Sequence, residues 1–319
     1  MHLGFLPHQL DARLRQARHV ALVGHTQPDA DCLGALTAFA AYAEGYGTPV
    51  ELYCATPVPP HLRFLPGASR VQQTLRGNYD VVVVLDCGDL RHAQLDAQHA
   101  ALRKGTTVAN IDHHHTNTRF GQLNLVQPEA ASTTEILCYY FRQLGVGFTP
   151  SLATSLLVGI LGDTGGFQHT NTTPAVLRVA ADLVSAGASL PYVHELAFHD
   201  KTLATLQCWG RVLSRITVNQ RLGVATAVVT RADLAGQPDE PAAASGLANF
   251  LNTIGGVRAV LVLVEQADGT VRGSLRSKDP LLDVAKFATL MGGGGHRMAA
   301  GFTVQGRLAQ TSEGWRVVT

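Results

Sequence analysis

Along the first half of the chain, apolar residues fall in short unbroken runs set between helical patterns. His19–Gly24 (HVALVG), Val50–Cys54, Asp80–Leu85 (DVVVVL) and Thr107–Ile111 are runs of this kind. Their lack of apolar/polar alternation predicts strands buried on both faces. Between the first two, Asp31–Glu44 has the spacing of an amphipathic helix. Strands alternating with helices predict βαβ units, hence an α/β domain whose parallel sheet carries helices on both faces. Beyond Ile111 the pattern turns helical. Ser132-Thr133-Thr134-Glu135 reads as a capping box, with Ser132 as N-cap and Glu135 reaching back, ahead of a run to Gly145. Ser151–Leu161 and Pro174–Ser185 predict two more helices.

The second half reads differently. Residues 187–214 carry no strong sheet pattern, whereas Val224–Thr230, Ala259–Glu265 and Thr270–Arg276 are strand-like. Asp268-Gly269 sits between two of these as a two-residue hairpin turn. Leu281–Met291 is helical, the tract Gly292–Gly295 follows, and Gly301–Val304 closes as a strand. The expected organisation is an N-terminal domain over 1–190, a linker over 191–214, and a smaller α+β C-terminal domain with a mixed sheet over 215–319.

Composition narrows the class. Charged residues make up 15% and apolar residues 46% of the 319, which excludes disorder, collagen and coiled coil. Lys and Arg number 25 against 24 Asp and Glu, so no strong positive field is available to track a long duplex. No apolar run approaches the ~18 residues of a membrane span, and the opening MHLGFLPHQLDARLRQ has no signal-peptide pattern. Five cysteines without close pair spacing argue against a disulfide framework or zinc ribbon, and the expected location is the cytoplasm. Histidine is unevenly spread: 13 of 14 precede residue 215 and only His296 follows it. Up to Ser214 there are 14 basic and 16 acidic residues, and after it 11 and 8. An acidic, histidine-rich half beside a mildly basic one suits a metal site paired with an anionic substrate.

The chemistry-bearing residues cluster at predicted strand and helix ends, where open α/β sheets place their ligands. His25-Thr26-Gln27-Pro28-Asp29-Ala30-Asp31 follows the first strand, Leu85-Asp86-Cys87-Gly88-Asp89 the valine run, and Ile111-Asp112-His113-His114-His115 the next strand. Gly162-Asp163-Thr164-Gly165-Gly166 ends a helix. Any one of these alone is an ordinary cap or turn; four of them in one order are not. Carboxylates mixed with imidazoles suit Mn²⁺, Mg²⁺ or Fe²⁺ better than structural zinc. Cys32 and Cys87 read as core.

The series HTQPDAD, LDCGD, DHH and GDTGGF resembles the four motifs of the DHH phosphoesterase superfamily. GSLRS at Gly273–Ser277 and GGGGHRMAAGF at Gly292–Phe302 resemble the DHH-associated domain, as in the bacterial nanoRNase and 3′-phosphoadenosine-5′-phosphate phosphatase group. The resemblance implies two divalent metal ions, with Mn²⁺ expected and Mg²⁺ as the alternative. It implies His25, Asp29 and Asp86 on the first, and Asp31, Asp86, His113 and Asp163 around the second, with Asp86 bridging. It further implies that His114 faces the substrate phosphate, and that Asp112 holds the loop or orients a histidine. His115 lies where the family varies, and Ala35 stands where relatives often have Ser.

Four successive glycines permit positive φ and let backbone N–H groups converge on an anion. Gly292, Gly293, Gly294, Gly295 and His296, with Arg276, Ser274 and Ser277, are therefore the expected phosphate-anchoring residues of the second domain. The function expected is two-metal phosphoester hydrolysis of short single-stranded oligonucleotides and small nucleotides: linear dinucleotides such as pApA, nanoRNA, 3′-phosphoadenosine 5′-phosphate, and cyclic di-AMP as a further possibility. An inorganic pyrophosphatase-like hydrolase and a non-catalytic nucleotide sensor are the alternatives. No membrane and no long duplex are expected as partners; the oligomeric state is open, with the apolar residues of Ser151–Leu161 available to a helix-mediated homodimer.

Overall fold

The computed structural model describes residues 3–95, 105–198, 202–237, 240–244, 246–311 and 314–318. The chain divides into two compact units, Met1–Asp200 and Lys201–Thr319.

The first unit is an α/β layer structure. Its strands are β1 (Val20–Val23), β2 (Val50–Tyr53), β3 (Val71–Gln72), β4 (Val81–Leu85), β5 (Thr107–Asp112) and β6 (Leu123–Val126). They lie in the order β3-β2-β1-β4-β5-β6 with every pairing parallel. The helices are α1 (Leu6–Gln16), α2 (Ala30–Glu44), α3 (Thr133–Gln143), α4 (Pro150–Asp163), α5 (Pro174–Ser185) and α6 (Leu190–Phe198). All residues of β1 and β4 are buried, as unbroken apolar runs require. Val20, Leu22, Val81, Val83 and Leu85 pack into one core with Leu33, Leu36 and Phe39 of α2. Ala21, Val23, Val82 and Val84 turn to the other face, against Tyr53, Tyr79 and Leu95. The chain order reverses between β1 and β4, and crevices outside the carboxyl ends of strands form at such a point.

The helix over 151–161 extends to Pro150–Asp163, and its apolar residues are not the free surface that a helix-mediated dimer through them would need. Its Ala153, Leu156, Leu157 and Ile160 are fully buried in the unit's own core, so its apolar face is spent on α2 and α5. Gly159 permits that approach. A Cβ there would stand 2.5 Å from Asp31 Oδ1. β3 and β6 fall outside the predicted strands. Both are short edge strands, and LNLV in β6 interrupts its apolar residues with Asn124, whose amide binds the Gly121 carbonyl. The capping box is also adjusted: Ser132 Oγ accepts from Glu135 N at 3.0 Å, but Glu135 reaches past it to Ala131 N at 2.7 Å.

The stretch 191–214 holds structure of its own. It contains most of α6, which belongs to the first unit, and α7 (Leu203–Leu213), which belongs to the second. Cys208, Trp209 and Val212 of α7 are buried, and Trp209 Nε1 donates to the Ala243 carbonyl at 2.7 Å. The second unit continues with β7 (Thr217–Asn219), β8 (Val224–Val229), β9 (Ala259–Glu265), β10 (Thr270–Ser277), β11 (Gly294–His296) and β12 (Ala299–Gln305). Their order is β11-β12-β10-β9-β8-β7, mixed because β8 and β9 run parallel while the other pairs are antiparallel. Helices α8 (Arg231–Leu234), α9 (Glu240–Ala244), α10 (Leu247–Leu251) and α11 (Val284–Leu290) pack on this sheet, and β13 (Arg307–Thr311) pairs with β14 (Gly314–Val318) as a ribbon. Among the described residues, no single helix is long and apolar enough to cross a membrane.

Candidate metal centre

Each motif ends where the fold turns toward the β1/β4 crevice. His25 follows β1, Asp86 follows β4 directly, Asp112 is the last residue of β5, and Asp163 the last of α4. Asp29 is the N-cap of α2, its carboxylate accepting from Asp31 N and Cys32 N at 3.1 Å. Asp86 adopts φ +57°, a left-handed conformation unusual for a side-chain-bearing residue. That bend takes the chain out of the sheet at the position where the carboxylates meet, and strain of this kind concentrates at functional sites.

The two halves of the Asp86 carboxylate face different imidazoles. Oδ2 lies 3.5 Å from His25 Nε2, and Oδ1 lies 3.5 Å from His113 Nε2. His25 Nε2 is also 3.7 Å from Asp29 Oδ1. His113 Nε2 is 3.0 Å from Asp163 Oδ2 and 3.9 Å from Asp31 Oδ2. On the far side of each ring a backbone carbonyl takes Nδ1: Thr26 for His25 at 2.8 Å, Ala130 for His113 at 3.3 Å. A carbonyl there requires Nδ1 to carry a proton, so Nε2 is the nitrogen that faces the cluster and the one a cation displacing its proton would take.

Electrostatics favour a cation in this space. Asp31, Asp86 and His113 are buried. Burial, then the neighbouring Asp86 and Asp163, push the Asp31 carboxyl well above its ordinary range. Burial acts on Asp163 in the same direction. Burial opposes a charge on His113 too, yet Asp163 and Asp86 raise that imidazole well above its usual value. Carboxylates forced together out of water are stabilised by a shared positive charge. Ligand atoms of Asp31, His113 and Asp163 all lie within 4.8 Å of one another, and so do those of His25, Cys32 and Asp86. A donor set of oxygens and imidazole nitrogens fits divalent cations of the Mn²⁺ and Mg²⁺ class. Cys32 is nearer this cluster than its sequence position suggests. Burial and the neighbouring Cys54 hold its thiol well above the ordinary pKa.

His114 lies edge-on to His113, ring centroids 4.9 Å apart, but is held differently. Its Nδ1 is 2.7 Å from Asp112 Oδ1 and 3.8 Å from Asp86 Oδ1. Asp112 is fully buried, one of its oxygens turned to the His114 ring. Its second oxygen accepts from Asn117 Nδ2 at 2.5 Å, and Asn117 is tied in turn to Asn110 Oδ1 at 2.7 Å. Neither asparagine is marked by a local pattern: Asn110 sits inside a predicted strand, and Asn117 looks like an ordinary turn residue.

Thr133 and Thr134 went unread for a different reason: their sequence explained them as part of a cap. Asp31 Oδ2 accepts from Thr133 N at 2.6 Å. Asp31 Oδ1 accepts from Thr134 N at 3.0 Å and Thr134 Oγ1 at 2.6 Å. Thr133 Oγ1 donates to Asp86 Oδ1 at 3.1 Å. The N-terminus of α3 thus grips one carboxylate and steadies the other, using amides that otherwise lack partners. Thr133→Val keeps the shape and the backbone donor but loses the hydroxyl. It is expected to weaken Mn²⁺ binding by roughly ten- to a hundredfold in a calorimetric titration, with Thr133→Ser close to the parent. Equal affinity for Val and Ser variants would show that this hydroxyl does not order Asp86.

In the second unit the structure sorts the expected phosphate-anchoring residues. Arg276, His296, Ser274 and Gly294 share one face of the sheet: Arg276 and His296 both pair with Ala299, and Ser274 and Gly294 both pair with Gly301. Ser277 does not join them. It is buried, its Oγ donating to the Arg258 carbonyl at 2.8 Å and accepting from Asp279 N at 3.0 Å. The glycine tract is only partly a loop, since Gly294 and Gly295 lie in β11. Gly292 N and Gly293 N close α11 on the Thr289 and Ala288 carbonyls at 3.0 and 2.8 Å. Those two amides are therefore committed to a helix end rather than turned to an anion. Gly293 is required for packing, because a Cβ would lie 2.6 Å from Phe302 Cα.

Comparison with known proteins agrees with this geometry. Residues 19–160 match the DHH family, N-terminal domain, and residues 223–313 the DHHA1 domain. The bifunctional oligoribonuclease and PAP phosphatase NrnA of Thermus thermophilus is 34% identical over 294 residues, covering 90% of this chain and 84% of that protein. The chain belongs to the DHH family. The NrnA protein of Bacillus subtilis is 25% identical, with 89% of each chain covered. Among solved structures, an exopolyphosphatase-related protein from Bacteroides fragilis superposes with a TM-score of 0.84 at 21% identity, over 93% of this chain and 90% of that one. RecJ of T. thermophilus in complex with Mn²⁺ gives 0.51 at 18% identity, over 96% of this chain and 53% of that one. These two likenesses establish the DHH fold, while the site rests on the distances above.

Proposed function

We propose that this DHH-family hydrolase cleaves phosphoesters of short oligonucleotides and small nucleotides: linear dinucleotides such as pApA, nanoRNA and 3′-phosphoadenosine 5′-phosphate, with cyclic di-AMP as a further candidate. The observation that carries the reading is the division of Asp86, one oxygen toward His25 and the other toward His113. A carboxylate so placed could be shared by two cations, which His25 and Asp29 would hold on one side and Asp31, His113 and Asp163 on the other. When bound, a pair of divalent ions activates water and draws charge from phosphoryl oxygens. His114, oriented by Asp112, is the protein's own donor to the phosphate. Every motif position carries a competent side chain, which speaks against a sensor that has lost catalysis. The names of the NrnA relatives, oligoribonuclease and PAP phosphatase, support this choice of substrates over pyrophosphate. Imidazoles among the ligands favour Mn²⁺ as the better activator.

Arg276, Ser274 and His296 hold a phosphate of the substrate. The deciding assay sets the purified protein with Mn²⁺ against pApA, cyclic di-AMP, 3′-phosphoadenosine 5′-phosphate and pyrophosphate. Turnover of pyrophosphate alone would overturn the proposal. Within that assay, His296→Ala should lower kcat/KM on pApA on the order of ten- to a hundredfold, since a charged hydrogen bond to phosphate is worth ~1.5–3 kcal/mol. Remote binding energy also aligns the reacting bond, so kcat falls along with affinity. Bis-p-nitrophenyl phosphate, which has no second phosphate to anchor, should lose far less. Equal loss on both substrates, or loss of metal, would place His296 in the catalytic centre instead.

A further inference from the structure

The sheet of the second unit presents a ledge of small residues on one face. Three neighbouring strands, β10, β12 and β11, contribute to it. Residues paired directly across a sheet share a face. The row Ser274, Gly301, Gly294 therefore lies beside the row Arg276, Ala299, His296. Between Arg276 and His296 only the methyl of Ala299 intervenes, with about 10 Å between their backbones for two strand spacings. The opposite face is filled by Val271, Leu275, Ala300 and Phe302 packing on Val284 and Ala288 of α11. On the ledge face, Leu247, Ala248 and Leu251 of α10 pack with Val260, Val262 and Val264 of β9.

At that border α10 sends one polar side chain onto the ledge. Asn249 Oδ1 accepts a hydrogen bond from Arg276 Nε at 2.7 Å, and Arg276 Nη1 is held by the Leu275 carbonyl at 2.8 Å. Arginine carries about 2 kcal/mol of rotamer entropy, and a guanidinium already fixed in place loses less of it when a ligand arrives. Asn249 belongs to none of the recognised motifs. We propose that Asn249 is a positioning residue that preorganises Arg276 over the small-residue ledge to receive the remote phosphate of a nucleotide substrate. This rests on the assignment of Arg276 as a phosphate anchor made above. Asn249 is exposed and serves no core contact, so its replacement leaves the unit free to fold.

The test is a double-mutant cycle read as KM and kcat on 3′-phosphoadenosine 5′-phosphate, with melting temperature followed for each protein. Asn249→Ala should raise KM about three- to tenfold with a smaller effect on kcat, and Arg276→Ala should raise KM about ten- to a hundredfold. Combining them should give the Arg276→Ala value, because a residue that acts through another has no effect once its partner is gone. The inference is overturned if Asn249→Ala leaves KM unchanged while Arg276→Ala raises it. It is overturned equally if the two losses multiply, which would mean Asn249 acts by another route. A fall in melting temperature that accounts for lost activity would also overturn it, by making the role structural. If Arg276→Ala itself leaves KM unchanged, the phosphate anchor is misassigned, and the proposal falls with it for that separate reason.

Discussion

Asp86→Ala is expected to reduce hydrolysis by at least about a thousandfold and to strip bound metal, whereas Asp89→Ala stays within a few-fold of the parent. The two residues are three apart, and the difference lies in what they touch. Asp86 is buried and divided between His25 and His113. Asp89 closes its own turn, its Oδ1 accepting from His92 N at 2.7 Å. A metal clamp supplies several kcal/mol of transition-state stabilisation, and each 1.36 kcal/mol is tenfold in rate. Losing the shared ligand therefore removes most of the acceleration. The left-handed backbone at Asp86 complicates alanine, since φ +57° disfavours it. Asn tolerates that conformation, so Asp86→Asn separates backbone strain from lost charge. Both variants should bind less Mn²⁺ by elemental analysis and retain the native circular dichroism of the folded chain. Equal activity of the Asp86 and Asp89 variants, with equal metal content, would remove Asp86 from the centre.

The carboxylates and imidazoles that the fold gathers at the β1/β4 crevice were legible in the chain because several of them sit at ends of apolar runs. Asp86 ends DVVVVL and Asp112 ends the next run, so the period that predicts a buried strand also marks where its carboxyl end delivers a side chain. The residues that hold the ligands were not legible. Thr133 and Thr134 satisfy a capping pattern completely, and nothing local shows that Asp31, about a hundred positions earlier, is what they bind. The same holds for Asn249, whose partner is 27 residues further on. Edge strands such as β6 and β11 escaped notice because a strand paired on one side needs no apolar run. The glycine tract misled in a specific way. Four glycines signal either amides for an anion or room for close packing, and Gly293 belongs to the second case through its approach to Phe302.

His114 is the second position where a large effect is expected. It sits beside the cluster, but its ring is held differently from His25 and His113. Those two rest Nδ1 on backbone carbonyls, whereas His114 rests Nδ1 on the buried Asp112 carboxylate. A carboxylate behind the ring stabilises a positively charged imidazole. Such a ring, when charged, donates well to a phosphoryl oxygen. His114→Ala is therefore expected to lower kcat about a hundred- to a thousandfold, the scale of one electrostatic or proton donor, while metal content stays that of the parent. Asp112→Asn should cost less, roughly tenfold, because the amide oxygen still accepts from Nδ1 but no longer supports the charge. In a His114→Ala background, Asp112→Asn should add almost nothing. The competing geometry is on the same side chains, since Asp86, Asp112 and His114 also place ligand atoms within 4.8 Å of one another. If His114→Ala loses metal in proportion to activity, His114 is a ligand, and the donor to the phosphate must be sought elsewhere.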